Sequence, residues 1–380
     1  MAEVLKAGLI GCGNVAFGHA RVLRFLSEVS VAGIADLTPG SRQKMQEFLN
    51  LPDSACFSDY RDLLARKPDY VVIATPQHVR RAIVEDCSQA GVHILSEKPI
   101  ATIPRDAQAM IEVMRGANLR YGMMHNYLYY PEYELARRLI DEGAIGKLRH
   151  VTLNFLGVPD NPGAMEYRPL WRHDPKQAGG GILMDMIHAV YLTEFLLGGP
   201  IREVRALVDN LDHPGDQVED FTIVNYHFDS GYATINMWWG NGPGGVEISG
   251  TEGRILVFYE NYGTGPFTKL ESFTLVNSRG LQNFDPRKSD KEDPFVLIHR
   301  DFIAAILSGR DPVAPGEAGL QALQATLAAY ASGATGHVMA LPLGEEDPVF
   351  QRGVTGLSDL VLWKNGPLFR QGLFGLHQRL

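Results

Sequence analysis

The chain has 380 residues, enough for two domains of ordinary size. Its 45% hydrophobic and 21% charged residues are the profile of a globular chain, which sets aside disordered and fibrous readings. A formal net charge of −9 without any long Lys/Arg run argues against nucleic acid as a partner.

The first element is the apolar run from Lys6, which breaks into Gly11-Cys12-Gly13-Asn14-Val15 and resumes at Ala16. This reads as a buried strand, a tight turn and the opening of a helix. Gly11 and Gly13 suit a turn too sharp for a Cβ and let a pyrophosphate approach main-chain N–H groups. Ala16 takes the third position of G-x-G-x-x-[GA], small enough for helix to pack on strand. A helix is expected to about Ser27, then a strand from Val29 to Ala35 ending at Asp36, about 20 residues after the motif, where a ribose-binding acid belongs. A carboxylate there accepts hydrogen bonds from the ribose 2′-OH and repels a 2′-phosphate, so NAD is expected over NADP, although Arg42 is placed to admit a 2′-phosphate. Beta-alpha alternation continues through helices near Ser41–Leu49 and Asp59–Arg66 to Tyr70–Ala74, a run typical of a parallel strand covered on both faces. Thr75, Pro76 and His78 close it at the carboxyl end, where doubly wound sheets bind ligands. A helix to Ala90, a strand His93–Ser96 ending in Glu97-Lys98-Pro99, a helix Pro104–Gly116 and a strand Arg120–Met124 complete a right-handed parallel sheet.

Glu97-Lys98-Pro99, together with Asn126-Tyr127-Leu128-Tyr129-Tyr130-Pro131, Trp171-Arg172 and the run from Gly179-Gly180-Gly181 to Asp185 and His188, resembles the glucose-fructose oxidoreductase / inositol dehydrogenase / MocA family. The resemblance spans residues 4 to about 335. It implies an α/β protein: an N-terminal Rossmann domain with a doubly wound parallel sheet, expected over 1–124, and a C-terminal α/β domain with a large, open, mostly antiparallel sheet, expected over 125–340. Residues 341–380 extend beyond that core. The implied activity is NAD(P)-dependent oxidation or reduction of sugars and cyclitols. Lys98 is implied to lie beside the nicotinamide, Pro99 to follow a cis bond, Asn126 to face substrate or cofactor, and the outer face of the C-terminal sheet to join subunits into a homodimer or homotetramer.

The residues support such chemistry on their own terms. Removing hydride from a secondary alcohol requires a base within reach of the hydroxyl, and His188 is the candidate. Lys98 would supply a cation near the developing alkoxide. Asp185, three residues before His188 at the start of a helix running to about Leu197, is expected on the same face, to bind a substrate hydroxyl or orient the imidazole. The Asp-Met-Ile-His spacing is one residue shorter than the family's Asp-x-Gly-x-His and lacks its glycine. His125, Asn126, Tyr127, Tyr129 and Tyr130 offer the amides, hydroxyls and aromatic floor that a polyol site needs. Tyr167, Trp171, Arg172, His173 and Asp174 are expected on a substrate lip, with flexible ends at Asp160-Asn161-Pro162-Gly163 and Gly179–Gly181. No metal is expected.

Beyond Leu197, strands are expected at Ile201–Val208, Phe221–Phe228, Gly231–Trp239, Gly245–Ser249 and Arg254–Tyr259, a sheet of five or more, with Trp238 and Trp239 buried by core or partner. Gly280 to Asp293 reads as a surface loop. Helices Phe295–Ser308 and Glu317–Ser332 follow, expected to pack on the Rossmann side. The final segment, with Phe350, Leu357, Trp363 and Leu373, is too apolar for a free tail and should dock on its own subunit or a neighbour. Cys12, Cys56 and Cys87 form no C-x-x-C pair, so a disulfide framework and a zinc site are not indicated, and a reducing, cytoplasmic compartment is expected. The sequence shows neither a signal-peptide pattern nor an apolar run long enough to span a membrane. The function expected is hydride transfer between NAD and a secondary alcohol of a sugar, sugar derivative or cyclitol. Two alternatives keep the same fold: a redox-neutral enzyme that cleaves or eliminates a glycoside with tightly held, recycled NAD, and a non-catalytic dinucleotide-binding sensor.

Overall fold

The computed structural model describes residues 4–160, 170–213, 215–240, 242–260, 269–288 and 292–379. Tyr167 and the Asn161–Gly163 turn lie outside them. In chain order the first part runs β1 (Leu5–Ile10), α1 (Ala16–Phe25), β2 (Val29–Ala35), α2 (Pro39–Leu49), β3 (Cys56–Phe57), α3 (Tyr60–Leu64), β4 (Tyr70–Ile73), α4 (Arg80–Ala90), β5 (His93–Ser96), α5 (Pro104–Gly116) and β6 (Tyr121–Met123). All six strands are parallel, in the order β3-β2-β1-β4-β5-β6. β4 is fully buried along its length, as its apolar run requires of a strand covered by helices on both faces. The strand order reverses between β1 and β4, which places the carboxyl ends of these two strands at the switch point where such sheets take ligands.

The second part runs α6 (Pro131–Asp141), β7 (Leu148–Val158), α7 (Pro175–Ala178), α8 (Ile182–Asp185), α9 (His188–Leu197), β8 (Glu203–Asp209), β9 (Phe221–Phe228), β10 (Gly231–Trp239), β11 (Gly244–Gly250), β12 (Gly253–Tyr259), β13 (Leu270–Asn277) and β14 (Gly280–Phe284). After it come α10 (Pro294–Ser308), α11 (Gly316–Thr335) and the short β15 (Met339–Ala340). The second sheet has nine strands in the order β14-β13-β12-β11-β7-β10-β9-β8-β15, antiparallel except for β7 and β10. One face packs inward through Val151, Leu153, Phe155, Ile235, Val257 and Phe273, all at or near zero exposure. The opposite face carries cross-strand polar pairs such as Asn154–Asn236 and Thr234–Asn225 (2.8 and 2.9 Å) among half-buried and exposed apolar residues.

One expectation is corrected here. The segment from Gly280 begins as strand β14, paired to β13, because edge strands tolerate the polar, exposed side chains that made it read as a loop. The antiparallel sheet also contains β7 at its centre, with alternating burial from Val151 to Phe155.

The chain divides into two compact units: Met1–Asn126 with Glu292–Leu320, and Tyr127–Lys291 with Gln321–Leu380. In the first, α10 packs on α1, where the Phe295 ring abuts Gly18. In the second, the final segment folds onto its own chain. Val349, Phe350, Leu357, Leu368 and Leu373 are buried, the Trp363 amide donates to Ala334 O at 2.7 Å, and the Phe374 amide donates to Gln217 O at 2.8 Å. Of the two tryptophans on β10, Trp239 is core and Trp238 is half-buried, its indole N–H donating to Asp212.

Candidate functional site

The glycine turn after β1 has the geometry of a nucleotide cradle. Gly11 sits at φ +93°, and a Cβ there would lie 2.7 Å from the Ala74 carbonyl carbon, so only glycine fits. At Gly13 a Cβ would meet nothing within 4 Å, leaving bare backbone facing open space beside the exposed Asn14 and Val15. That space suits a pyrophosphate approaching main-chain N–H groups. Asp36 ends β2 with one carboxylate oxygen accepting the Cys12 amide and the other the Thr38 amide, each at 2.7 Å. The carboxylate is thereby locked against the turn, with further lone pairs available to a ribose. Arg42 donates to the Asp36 main-chain oxygen at 2.6 Å.

The ends of β4 and β5 are tied together by a residue that sequence reasoning missed. Arg80, 2% exposed at the start of α4, donates from Nε and Nη2 to Thr75 O at 3.1 and 2.6 Å, and from Nη1 to the carbonyls of Glu97 and Pro99. Burial pulls its pKa down to about 10, so it keeps its charge at neutral pH. Thr75 Oγ1 is buried and has no partner among the described residues, a polar atom placed for a ligand at the edge where Pro76 is half-buried and His78 exposed.

Glu97 is 6% exposed. Its Oε1 takes a hydrogen bond from His19 Nε2 at 3.0 Å, and His19 Nδ1 meets His299 Nε2 of α10 at 2.9 Å; its Oε2 accepts the Lys98 amide at 3.1 Å. Burial alone would raise the Glu97 carboxyl, but His19 and the Lys98 and Arg80 charges outweigh it and hold the group below its usual range. Lys98 itself is half-buried, and the Lys98–Pro99 bond is cis. Asn126 is buried. His125 is 2% exposed, and burial pushes its pKa down to about 3.

In the second unit the candidate residues gather around His188. Its ring is 8% exposed and lies against Tyr127, centroids 4.2 Å apart at an interplanar angle of 15°. Its Nδ1 is 2.6 Å from Tyr191 Oη, which also accepts the Tyr127 main-chain N–H at 3.3 Å. Tyr127 therefore offers its ring to the histidine, whereas the sequence suggested a substrate contact.

Asp185 and His188 do not share a helix face. α8 ends at Asp185, Met186 leaves helical geometry at ψ 35°, and the axis turns by 46° before α9 begins at His188. Asp185 Oδ2 pairs with Arg172 Nη1 at 3.3 Å, and the Arg172 guanidinium lies 5.7 Å from the Trp171 ring centroid. Arg172 Nε is buried with no acceptor among the described residues. The turn carrying Asp185 rests on a second residue invisible in sequence. Glu219, fully buried, accepts the amides of Gly181 (2.7 Å) and Leu183 (3.0 Å) and the Tyr330 hydroxyl (2.7 Å). Burial pushes it up to about 7 although all three donors favour the charged form. A Cβ on Gly181 would lie 1.9 Å from Glu219 O, which explains the last glycine of the triplet.

The other lip residues go elsewhere. Asp174 caps α7 by accepting the Lys176 amide at 2.9 Å. His173 bridges Asp216 (2.6 Å, Nδ1) and Asp160 (3.2 Å, Nε2) and stacks on Trp239. The Asp160 hydrogen bond, ahead of the opposing effect of burial and with help from Asp216, lifts its pKa to about 9.

A doubly wound parallel sheet with a glycine cradle and an acid at the end of its second strand, followed by a unit that joins a large open sheet to short helices carrying a histidine, an aspartate and an arginine, defines a dinucleotide-dependent oxidoreductase architecture. The comparisons agree. Residues 5–125 match the oxidoreductase family with an NAD-binding Rossmann fold, and residues 133–256 match the GFO/IDH/MocA C-terminal domain. The chain belongs to the GFO/IDH/MocA oxidoreductase family. Among its relatives, a myo-inositol 2-dehydrogenase of Thermotoga maritima is 25% identical over 84% of this chain and 93% of its own. A levoglucosan dehydrogenase of Pseudarthrobacter phenanthrenivorans is 34% identical over 37% of this chain and 36% of its own. An aldose-aldose oxidoreductase from Caulobacter crescentus, crystallised with glycerol, superimposes with a TM-score of 0.79 at 21% identity, covering 89% of this chain and 100% of its own.

Arg80→Ala takes the donors from three carbonyls at about 1–3 kcal/mol each, so it should lower the unfolding midpoint and weaken NAD binding in a calorimetric titration. Arg80→Lys, a point charge without the fork, should not restore it. Unchanged stability and affinity in both variants would remove Arg80 from this role. The His173 clasp sets a pH dependence of stability. Its folded-state pKa lies above the ordinary 6.5, so its contribution is complete below that pH and is lost as pH rises through about 9. Urea midpoints measured across this window should fall in the parent and fall less in Asp160→Asn; parallel curves would contradict the clasp.

Proposed function

We propose that this chain is an NAD-dependent dehydrogenase that oxidises a secondary alcohol of a sugar, sugar derivative or cyclitol. The observation that carries the reading is His188, a nearly buried imidazole with Nδ1 anchored at 2.6 Å, in the same unit as the Asp185–Arg172 pair. A polyol offers alternating donors and acceptors. Asp185 supplies acceptors, and Arg172 Nε, which has no acceptor among the described residues, supplies a donor that a substrate oxygen would satisfy. His188 takes the hydroxyl proton, and Lys98 places positive charge near the oxygen as negative charge develops there. The carbinol carbon gives up a hydride and becomes a carbonyl; the bound dinucleotide supplies the hydride acceptor. Asp36 supports NAD over NADP, because a 2′-phosphate would meet its carboxylate. The relatives named as inositol and levoglucosan dehydrogenases support the substrate class.

The test is absorbance at the NADH band with NAD and a panel of sugars, glycosides and inositols. Steady NADH production is expected, reduced by at least about 100-fold in both Lys98→Ala and His188→Ala. Cleavage of a glycoside with no more than one equivalent of NADH would replace the dehydrogenase with the redox-neutral enzyme. Binding of NAD with no turnover of any kind would favour the sensor.

The reading includes assembly into a homodimer or homotetramer through the open face of the nine-stranded sheet. Support comes from Tyr232, Phe258, Leu207 and Leu281, each about half exposed or more on that face. Light scattering should give a multiple of the 41.9 kDa chain. A Tyr232→Arg/Phe258→Arg double variant should give one chain; a monomeric parent would reject the interface.

A further inference from the structure

We propose that Tyr191 is a positioning residue for His188, holding the imidazole in the tautomer that presents Nε2 to the substrate. The inference rests on the reading of His188 as the base. An imidazole that accepts a proton at Nε2 must already carry one at Nδ1, and that N–H needs an acceptor in so buried a setting. Tyr191 Oη, 2.6 Å from Nδ1, is placed to be that acceptor. It lies one turn along α9, where the i, i+3 spacing brings the two side chains to one face.

Two further observations show that the phenol is held as firmly as the ring. Tyr191 is 3% exposed, and its oxygen also accepts the main-chain N–H of Tyr127 at 3.3 Å, which ties α9 to the start of the Tyr127–Tyr130 segment. The Tyr127 ring in turn covers the imidazole at 4.2 Å and nearly parallel, blocking rotation out of that plane, while Tyr191 meets the imidazole edge at 70°. Stacking fixes the plane of the ring but cannot distinguish its two nitrogens. The hydroxyl contacts Nδ1, and in the proposed arrangement its oxygen accepts the proton there, which leaves Nε2 as the basic nitrogen. The acceptor also stays useful through the reaction: once Nε2 has taken the alcohol proton, the imidazolium still donates from Nδ1 to the same oxygen. The orienting partner proposed for the histidine is thus a phenol on its own helix, and Asp185 pairs with Arg172 at 3.3 Å.

The test compares the parent with Tyr191→Phe, His188→Ala and the double variant. Tyr191→Phe should leave KM for the sugar and the affinity for NAD unchanged while lowering kcat about 10- to 100-fold, within the range of general base catalysis. It should have no further effect in the His188→Ala background. The second readout needs no turnover. In protein labelled with 15N-histidine, the His188 signals, assigned by their loss in His188→Ala, should show the Nδ1–H tautomer in the parent and shift toward Nε2–H in Tyr191→Phe. Should the hydroxyl prove necessary for folding, 3-fluorotyrosine at position 191 keeps the bond and changes its acidity, and should alter kcat with KM unchanged. An unaltered kcat and unaltered nitrogen signals in Tyr191→Phe would overturn the proposal even if His188→Ala is inactive. Full activity in His188→Ala would overturn the reading of His188 as base, and the nitrogen signals would then decide separately whether Tyr191 sets its tautomer.

Discussion

The structure depends on how it satisfies main-chain groups at the ends of buried elements. Parallel strands finish with carbonyls that the ladder leaves unpaired, and short helices begin with amides in the same state; both cost free energy if they are buried without partners. Each unit satisfies them with a buried ionisable side chain of the matching polarity. Arg80 donates to the carbonyls of Thr75, Glu97 and Pro99, and Glu219 accepts the amides of Gly181 and Leu183. Each of these segments carries a residue of the proposed chemistry, Lys98 beside Glu97 and Pro99, and Asp185 two residues after Leu183. Burying a lone charge would be prohibitive, but a charge surrounded by several oriented dipoles is solvated by the protein itself. The same bonds that stabilise the fold therefore hold the candidate site residues in place.

Much of the first sheet was legible in the sequence because its signals are local. The run Tyr70–Ile73 has no polar alternation and is a fully buried central strand, and the ends of β2, β5 and α5 fall where apolar periodicity and turn residues placed them. The second sheet was less legible. β14 is an edge strand whose exposed Leu281 and Asn283 resemble a loop, and β7, although it alternates, runs parallel to β10, a pairing no local pattern reveals. α6 begins at Pro131 with Glu132 and Glu134 in its first turn, a helix-start signal that directly abuts the tyrosine-rich Tyr127–Tyr130 segment.

The site divides along the same line. The glycine turn, Asp36 and the Glu97-Lys98-Pro99 corner are compact motifs whose spacing is set by one strand and one turn, so sequence could name them. Their supports are long-range. Glu219 reaches Gly181 across 38 positions, and His19 reaches Glu97 across 78, so no window of sequence contains either pair. Asp185 shows how a local inference fails. A spacing of three places two residues on one face only if the helix continues between them, and Met186 interrupts it.

Environment also separates histidines that composition treats alike. His125 and His188 are both nearly buried, and both were candidates for contact with substrate. His125 is desolvated so far that its pKa falls to about 3 even with the Glu97 carboxylate raising it, and a group of that basicity gains little by accepting an alcohol proton near neutral pH. His188 has a hydroxyl oxygen at Nδ1 that can accept from the imidazolium, and an aromatic face that fixes its plane. A proton acceptor needs its charged form solvated by something that does not have to move when the charge arrives. Tyr191 meets that requirement for His188, which is why the histidine on α9 is the stronger candidate for the base.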